Sequence, residues 1–321
     1  MSSKSPQEQH YVGVELCAGS ARAALVSATG QVIARREGVT SVEEAGGVVA
    51  RLIAELRDSA PQSRVAAVGV GLPGLVSPET GRVVISSDFP SAARGDLRAD
   101  LRKATGLPVT LDNDANAGAI GEYAAGAGRG SRNMFYVTIG DGIGGAIIID
   151  GKLWRGASGF AGEFGHITID PEGVVCMCGN VGCLETVASA PNIVRRTHER
   201  LMRDSTSSLS RLGLNKDFTA ADIAHEAKNG DDFAALMIER TGRYIGTAIA
   251  TVINLLNPEH IVMGGGVMDA GQLILEPIIR EARRRSFQPN FESTQIVAAT
   301  LGPDAVPIGA ALLARDTQGG S

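Results

Sequence analysis

His166, Cys176, Cys178 and Cys183 place one imidazole and three thiols within a short stretch of chain. This is a Cys3His ligand set of the kind that holds structural Zn2+, and four protein ligands leave no coordination position open for catalysis. Such clustering in a chain without a visible secretory leader favours a metal over a disulfide framework, and three free thiols beside a core histidine are the alternative that this spacing disfavours. Gly179 and Gly182 allow the loop to fold back so that the sulfurs converge. Glu163 stands three residues before His166 and Glu185 two after Cys183, so a bound ion would lock both carboxylates onto one loop. Fixed acceptors suit a polyol, each of whose hydroxyls needs a partner. Cys17 lies outside the cluster and reads as a small buried apolar residue.

Asp112-Asn113-Asp114-Ala115-Asn116 combines two acids and two amides where a strand pattern gives way to a helix. Asp commonly caps a helix at such a junction, which gives one of these residues a purely structural role. The other groups exceed what a cap requires. One Asp can serve as general base toward a hydroxyl, with Asn113 orienting the substrate.

Gly140-Asp141-Gly142-Ile143-Gly144-Gly145 and Gly69-Val70-Gly71-Leu72-Pro73-Gly74 both spell G-x-G-x-x-G. A dinucleotide fingerprint must leave a strand and open a helix. The first run continues into Ala146-Ile147-Ile148-Ile149, another strand, and the second contains Pro73. The run at 140–145 holds more glycines than a two-residue hairpin turn needs, which points to backbone N–H groups facing a ligand anion; a hairpin without ligand is the plainer reading. Asp141 is unusual there, because a carboxylate repels phosphate unless a cation intervenes. Gly264-Gly265-Gly266 after a strand is a further close-approach loop.

The elements that must position these groups follow from periodicity. Strands are expected over 11–16, 21–27 and about 31–35 as a meander, then a helix over 42–57 and a strand over 65–70. A short helix over 96–105 ended by Gly106, a strand over 109–111 and a helix over about 115–125 complete the first series. The order restarts with strands over 134–139, 146–150 and 152–155. Helices near 190–202, 219–228 and 232–256, a strand over 261–263, a helix over 272–285, a strand over 295–299 and a helix over 308–315 follow. Thr219 with Asp222 suits a helix start. The repetition, at a spacing of roughly 120 residues, implies an α/β chain of two duplicated lobes, each a mixed sheet packed by helices, with a central cleft as the natural ligand site. Residues 1–10 are expected as a disordered tail, 11–114 as the N-terminal lobe completed by about 303–321, and 115–302 as the C-terminal lobe carrying the zinc segment 163–185. The hinge is expected near Asp114–Asn116.

Composition narrows the function. The 321 residues are 44% apolar, with no run long enough to span a membrane and a net charge of −5 of mixed sign. Neither a membrane protein nor a nucleic-acid binder is indicated, and a cytoplasmic location is expected.

Taken together, these motifs resemble the ROK (repressor, open reading frame, kinase) family of sugar kinases and sugar-responsive regulators, over about Tyr11 to Arg315. The most specific stretches are Gly162-Glu163-Phe164-Gly165-His166 and Cys176-Met177-Cys178-Gly179-Asn180-Val181-Gly182-Cys183-Leu184-Glu185. Leu72-Pro73-Gly74, Asn113-Asp114-Ala115-Asn116 and Thr138–Gly145 support them. The resemblance implies an actin-like, hexokinase-type (ribonuclease H-like) two-lobe fold, often a homodimer. It implies ATP-dependent phosphorylation, with Mg2+, of a hexose (glucose or an N-acetylhexosamine) at the 6-hydroxyl. Asp114 would be the base; Gly74, Asn113, Glu163, His166 and Glu185 would hold the sugar, with Ser87 and Asp88 bearing on its identity. Gly140, Asp141, Gly142 and Gly144 would face the ATP phosphates with Glu15, Gly19 and Ser20 of the first turn, and Gly264, Gly265 and Gly266 would lie near the adenosine.

The chain departs from the family at the phosphate loops. The kinases usually end their first strand in Asp followed by Ile-Gly-Gly-Thr-Lys, where this chain has Glu15-Leu16-Cys17-Ala18-Gly19-Ser20. At Asp141 they usually carry Thr, and at Asp88 many glucose-specific members carry Asn. A sugar sensor or regulatory subunit with little or no kinase activity is the alternative function. The family's repressors carry a helix-turn-helix before the sugar domain, and so few residues precede Tyr11 that DNA binding is not expected.

Overall fold

The computed structural model describes residues 8–17, 19–41, 44–61, 63–86, 89, 95–202, 206–212 and 217–319. Ser87, Asp88 and most of the expected N-terminal tail lie outside the described residues, and Gln9 and His10 already belong to a strand.

Strands β1 (Gln9–Cys17), β2 (Ser20–Ser27) and β3 (Val32–Val39) form the expected meander, followed by α1 (Ala45–Ser59) and β4 (Arg64–Leu72). A hairpin of β5 (Leu75–Val76) and β6 (Val83–Ile85), absent from the sequence expectations, precedes α2 (Leu97–Thr105), β7 (Val109–Asn113) and α3 (Asp114–Ala125). Asp96 caps α2 by accepting from the Ala99 N–H, and Gly106 ends it at φ 68°. The second series is β8 (Met134–Ile139), β9 (Ile143–Ile149), β10 (Lys152–Trp154), α4 (Glu185–Ala188), α5 (Ala190–Leu201) and α6 (Leu209–Leu212). It continues with α7 (Ala220–Lys228), α8 (Asp232–Leu256), β11 (His260–Gly264), α9 (Gln272–Arg285), α10 (Gln288–Glu292), β12 (Gln295–Ala298) and α11 (Ala305–Gly319). Thr219 and Asp222 form a reciprocal capping box at the start of α7.

The two main sheets repeat one topology: β3-β2-β1-β4-β7 and β10-β9-β8-β11-β12. In each, an antiparallel hairpin edge gives way to parallel strands. This is the duplicated actin-like α/β architecture, and it arises because the same strand–turn–strand–strand pattern occurs twice in the chain.

The chain divides into two compact units, one of Met1–Ser131, Ala146–Ala161 and Thr300–Ser321, the other of Arg132–Gly145 and Gly162–Ala299. The first unit therefore runs past Asp114–Asn116, where the sequence suggested a hinge. The reason is the packing of α3 on α11: a Cβ at Gly121 would overlap the Ala305 carbonyl, and one at Gly309 the Ala117 carbonyl. Residues 146–161, expected in the other lobe, join the first unit through Tyr123, whose hydroxyl lies beside Gly151, and through Arg155, which pairs with Asp112. Its core gathers Val12, Val14, Leu16, Leu25, Leu52, Ile53, Leu56, Val68, Val70 and Leu111. In the second unit α9 packs on α8 where Gly242 and Gly246 admit Pro277 and Ile278. Among the described residues no helix is long and apolar enough to cross a membrane.

Candidate active site

In the first unit, β7 delivers Asp112 and Asn113 to the start of α3. Asn113 is the cap: its Oδ1 accepts the Asn116 N–H at 3.1 Å and its Nδ2 donates to the Gly74 carbonyl at 3.1 Å. Gly74 sits at φ 115° with the Ile85 carbonyl where a Cβ would stand, so only glycine fits this turn. Asp112 is buried and its carboxylate is fully engaged. Arg155 donates from Nη1 at 2.9 Å and from Nη2 at 2.5 Å, Asn116 Nδ2 at 3.0 Å, and the Asn113 N–H at 2.8 Å. Its role is therefore to shape the turn. Asp114 is half-buried at the first turn of α3 and accepts the Ala115 N–H at 2.8 Å.

Glu15 on β1 faces Arg22 on β2 in the hairpin register, and Arg22 Nη1 donates to Glu15 Oε2 at 2.7 Å. Cys17 lies among these groups. Burial, then the Glu15 carboxylate, with a smaller contribution from Asp114, pushes its thiol up to about 12. It is not the wholly buried apolar residue expected, being half-buried in a polar setting. Gly19 adopts φ 82° and Ser20 opens β2.

In the second unit, the glycine run is shorter than its sequence suggested. β9 begins at Ile143, so Gly144 and Gly145 are strand residues and the turn is Gly140-Asp141-Gly142. Gly145 is needed against Phe164 and the Gly162 carbonyl. The Gly140 N–H closes the turn on the Gly142 carbonyl at 2.9 Å, and the Ile143 N–H donates to Glu185 Oε2 at 2.8 Å. Those two N–H groups thus have protein acceptors, which reduces the donors this hairpin presents. Asp141 is exposed at its tip. At the end of β11, a Cβ on Gly264 would press on the Tyr136 hydroxyl at 2.9 Å, and Gly265 takes φ 88° against the backbone of Ile139. Both have packing reasons to be glycine. Gly266 faces open space and starts the 3-10 turn Gly266–Ala270.

The metal-ligand candidates converge. One donor atom from each of His166, Cys176, Cys178 and Cys183 lies within 4.8 Å of all the others. Cys178 Sγ is 3.7 Å from Cys183 Sγ, and Cys176 Sγ is 3.6 Å from His166 Nδ1. A tetrahedral Zn2+ has sulfur–sulfur edges of about 3.8 Å and sulfur–nitrogen edges of about 3.6 Å, from bonds of about 2.3 and 2.05 Å. The donor set fits that ion. Gly182 at φ 70° brings the loop against the Asp170 carbonyl, and Gly179 takes φ 88° as the Cys176 N–H bonds the Asn180 carbonyl at 2.7 Å. With Nδ1 directed at the sulfurs, His166 Nε2 is left toward Glu163 Oε2, 3.9 Å away. Burial, with the Glu185 carboxylate adding to it and His166 opposing it, holds Glu163 above the ordinary carboxylate range.

Glu185 opens α4, whose carbonyls are gripped from α5. Asn192 donates to the Glu185 carbonyl at 3.0 Å, Arg195 to Thr186 at 2.9 Å and Arg196 to Val187 at 2.6 Å. Sequence reading missed Arg22, Arg155 and this grip. Arg155 and Asp112 are 43 positions apart with no local pattern joining them. Arg22 was within reach, since a turn at Cys17–Ser20 pairs Glu15 with Arg22 by strand register.

Comparison with known proteins agrees with this arrangement. The profile of the ROK family matches residues 11–317. A glucokinase of Halalkalibacterium halodurans is 36% identical, over 97% of this chain and 96% of its own. A xylose repressor of Caldicellulosiruptor bescii is 31% identical, over 93% of this chain and 76% of its own. The crystal structure of a ROK family glucokinase from Streptomyces griseus, in complex with glucose and AMPPNP, superimposes with a TM-score of 0.86 at 33% identity, covering 96% of this chain and 99% of that one. A family match over nearly the whole chain, with relatives more than 30% identical along almost all of it, shows that this chain belongs to the ROK family.

Proposed function

We propose that the protein is an ATP-dependent kinase that phosphorylates a hexose at its 6-hydroxyl. The observation that supports this reading is the turn that Asp112 builds with Arg155, Asn116 and the Asn113 N–H, which sets Asp114 at the start of α3, where it would act as the base. Its whole-length similarity to glucokinases supports the same reading.

In the proposed reaction Asp114 takes the proton of the 6-hydroxyl as that oxygen attacks the γ-phosphorus, and ADP departs with the bridging oxygen. Gly74, Asn113, Glu163, His166 and Glu185 are the residues assigned to the sugar hydroxyls. Glu163 and Glu185 accept, and His166, whose Nδ1 would bind the ion, donates from Nε2. His166, Cys176, Cys178 and Cys183 would hold Zn2+, which when bound would fix this loop and leave no open position for chemistry. Mg2+ accompanies ATP and neutralises phosphate charge when bound. Gly140, Asp141 and Gly142 face the phosphates, and Gly264–Gly266 the adenosine. Glucose is the first sugar to test, with N-acetylhexosamines beside it, in a cytoplasmic homodimer.

A second reading, a sugar sensor with little phosphoryl transfer, is favoured by the Glu15–Arg22 pair, which takes up the charge at the end of β1. ADP release measured with glucose, N-acetylglucosamine, mannose and N-acetylmannosamine separates the two. Sugar-dependent turnover that falls by about 100-fold or more in Asp114→Asn, with sugar binding kept, supports the kinase. Tight sugar binding with no ATP binding in calorimetry would overturn it in favour of the sensor.

A further inference from the structure

Glu185 belongs by sequence to the sugar-contact set, yet its carboxylate accepts the Ile143 N–H of the phosphate hairpin at 2.8 Å. A Cβ on Gly142 would stand 3.0 Å from the same Oε2. The hairpin and the Glu185 segment meet a second time, where the Ala190 N–H donates to the Gly140 carbonyl at 2.8 Å. Because Asn192, Arg195 and Arg196 grip the carbonyls of α4, the backbone behind Glu185 has little room to follow a displaced carboxylate. A shift of the hairpin must therefore be felt in the carboxylate itself. We propose that Glu185 is a positioning residue for the phosphate hairpin, and that through it the hairpin and the sugar hydroxyls report on each other. This rests on the sugar reading of Glu185 given above.

Coupling of this kind is reciprocal in binding free energy. A sugar hydroxyl donating to Glu185 draws on the same carboxylate that anchors Ile143, so occupancy on one side sets the geometry offered to the other. A charge-assisted hydrogen bond of this type, lengthened by a few tenths of an ångström, loses a substantial share of its strength.

Gly142 supplies the experiment, with Gly47 of α1 as its control. Neither has a left-handed φ, so alanine fits the backbone at both. At Gly47 the added methyl enters open space, whereas at Gly142 it presses on Glu185 Oε2. Glucose is titrated calorimetrically into the full-length, zinc-loaded protein without nucleotide. Gly142→Ala is expected to weaken glucose binding by about three- to tenfold, although it lies in the phosphate hairpin, and Gly47→Ala to leave it within about 1.5-fold. Equal effects of the two variants, whether both null or both large, overturn the proposal. Glu185→Asp gives an independent arm: retracting the carboxylate from Ile143 should weaken AMPPNP–Mg2+ binding severalfold in the absence of sugar, and unchanged affinity overturns the proposal even should Gly142→Ala fail to fold. A wild-type protein that binds no hexose would sink the sugar reading instead, and the Glu185→Asp arm then decides the brace alone.

Discussion

Arg155 holds Asp112 with both terminal nitrogens, at 2.9 and 2.5 Å, two residues before the proposed base. The pair fixes the turn that presents Asp114, because Asp112 also orders the Asn113 N–H and the Asn116 amide. Removing the guanidinium leaves a buried carboxylate without its cation. Arg155→Met should cost about 2–3 kcal/mol in chemical denaturation and lower kcat more than it raises the sugar KM. Asp112→Asn with Arg155→Met together should recover part of the stability, since the unpaired charge is gone. A single variant with unchanged midpoint and kcat would refute this role.

The Cys3His cluster predicts about one Zn2+ per chain by elemental analysis. Stripping it with a chelator, or replacing Cys178 by Ser, should lower Tm and weaken sugar binding by about tenfold or more, because the loop from Glu163 to Glu185 loses its fixed point. Protein purified with no bound zinc would count decisively against the assignment.

Glu281 on α9 is buried, and hydrogen bonds from Arg284 at 3.0 and 2.7 Å, with Arg285 adding to them, lower its carboxyl to about 2. A depressed carboxylate contributes stability that is complete above its unfolded value, near 4.5, and is lost as the pH falls toward the folded one. Glu281→Gln should therefore be destabilised at pH 7, by about 3 kcal/mol at most, with the gap to wild type closing between roughly pH 5 and 2. Urea midpoints across that range measure it; a constant gap would show that the ionised form is not what matters.

Cys17 should resist thiol reagents in the folded protein. Burial and the Glu15 carboxylate hold its thiol up at about 12. In folded protein at pH 7.5, Cys17 should remain unmodified until unfolding, as read by peptide mass mapping. Rapid alkylation of Cys17 in the folded protein would contradict this environment.

Much of this was legible beforehand. Alternation, helical spacing and turn residues mark the repeated order of strands and helices, because each half must bury one face of a sheet. The cysteine spacing marks the ligand loop, and the Asp112–Asn116 run marks a helix start rich in acceptors. What was hidden depends on tertiary partners. Nothing local says that Asp112 belongs to Arg155, that Glu185 reaches the Ile143 N–H, or that β9 starts early enough to absorb Gly144 and Gly145. The unit boundary moved for the same reason, since the α3 glycines are read correctly only beside α11.

The last helix has a consequence for biosynthesis. At Gly13 on β1 and Gly69 on β4, a side chain would collide with the carbonyls of Pro307 and Ala310 on α11, so that helix is the layer covering this face of the first sheet. During translation those strands are made first and their cover last. The early sheet must wait through nearly the whole of elongation with an uncovered apolar face, whereas Gly162–Ala299 completes its own helices sooner. Released chains truncated before about residue 305 should accordingly hold a protease-resistant second unit and a first unit that still engages chaperones.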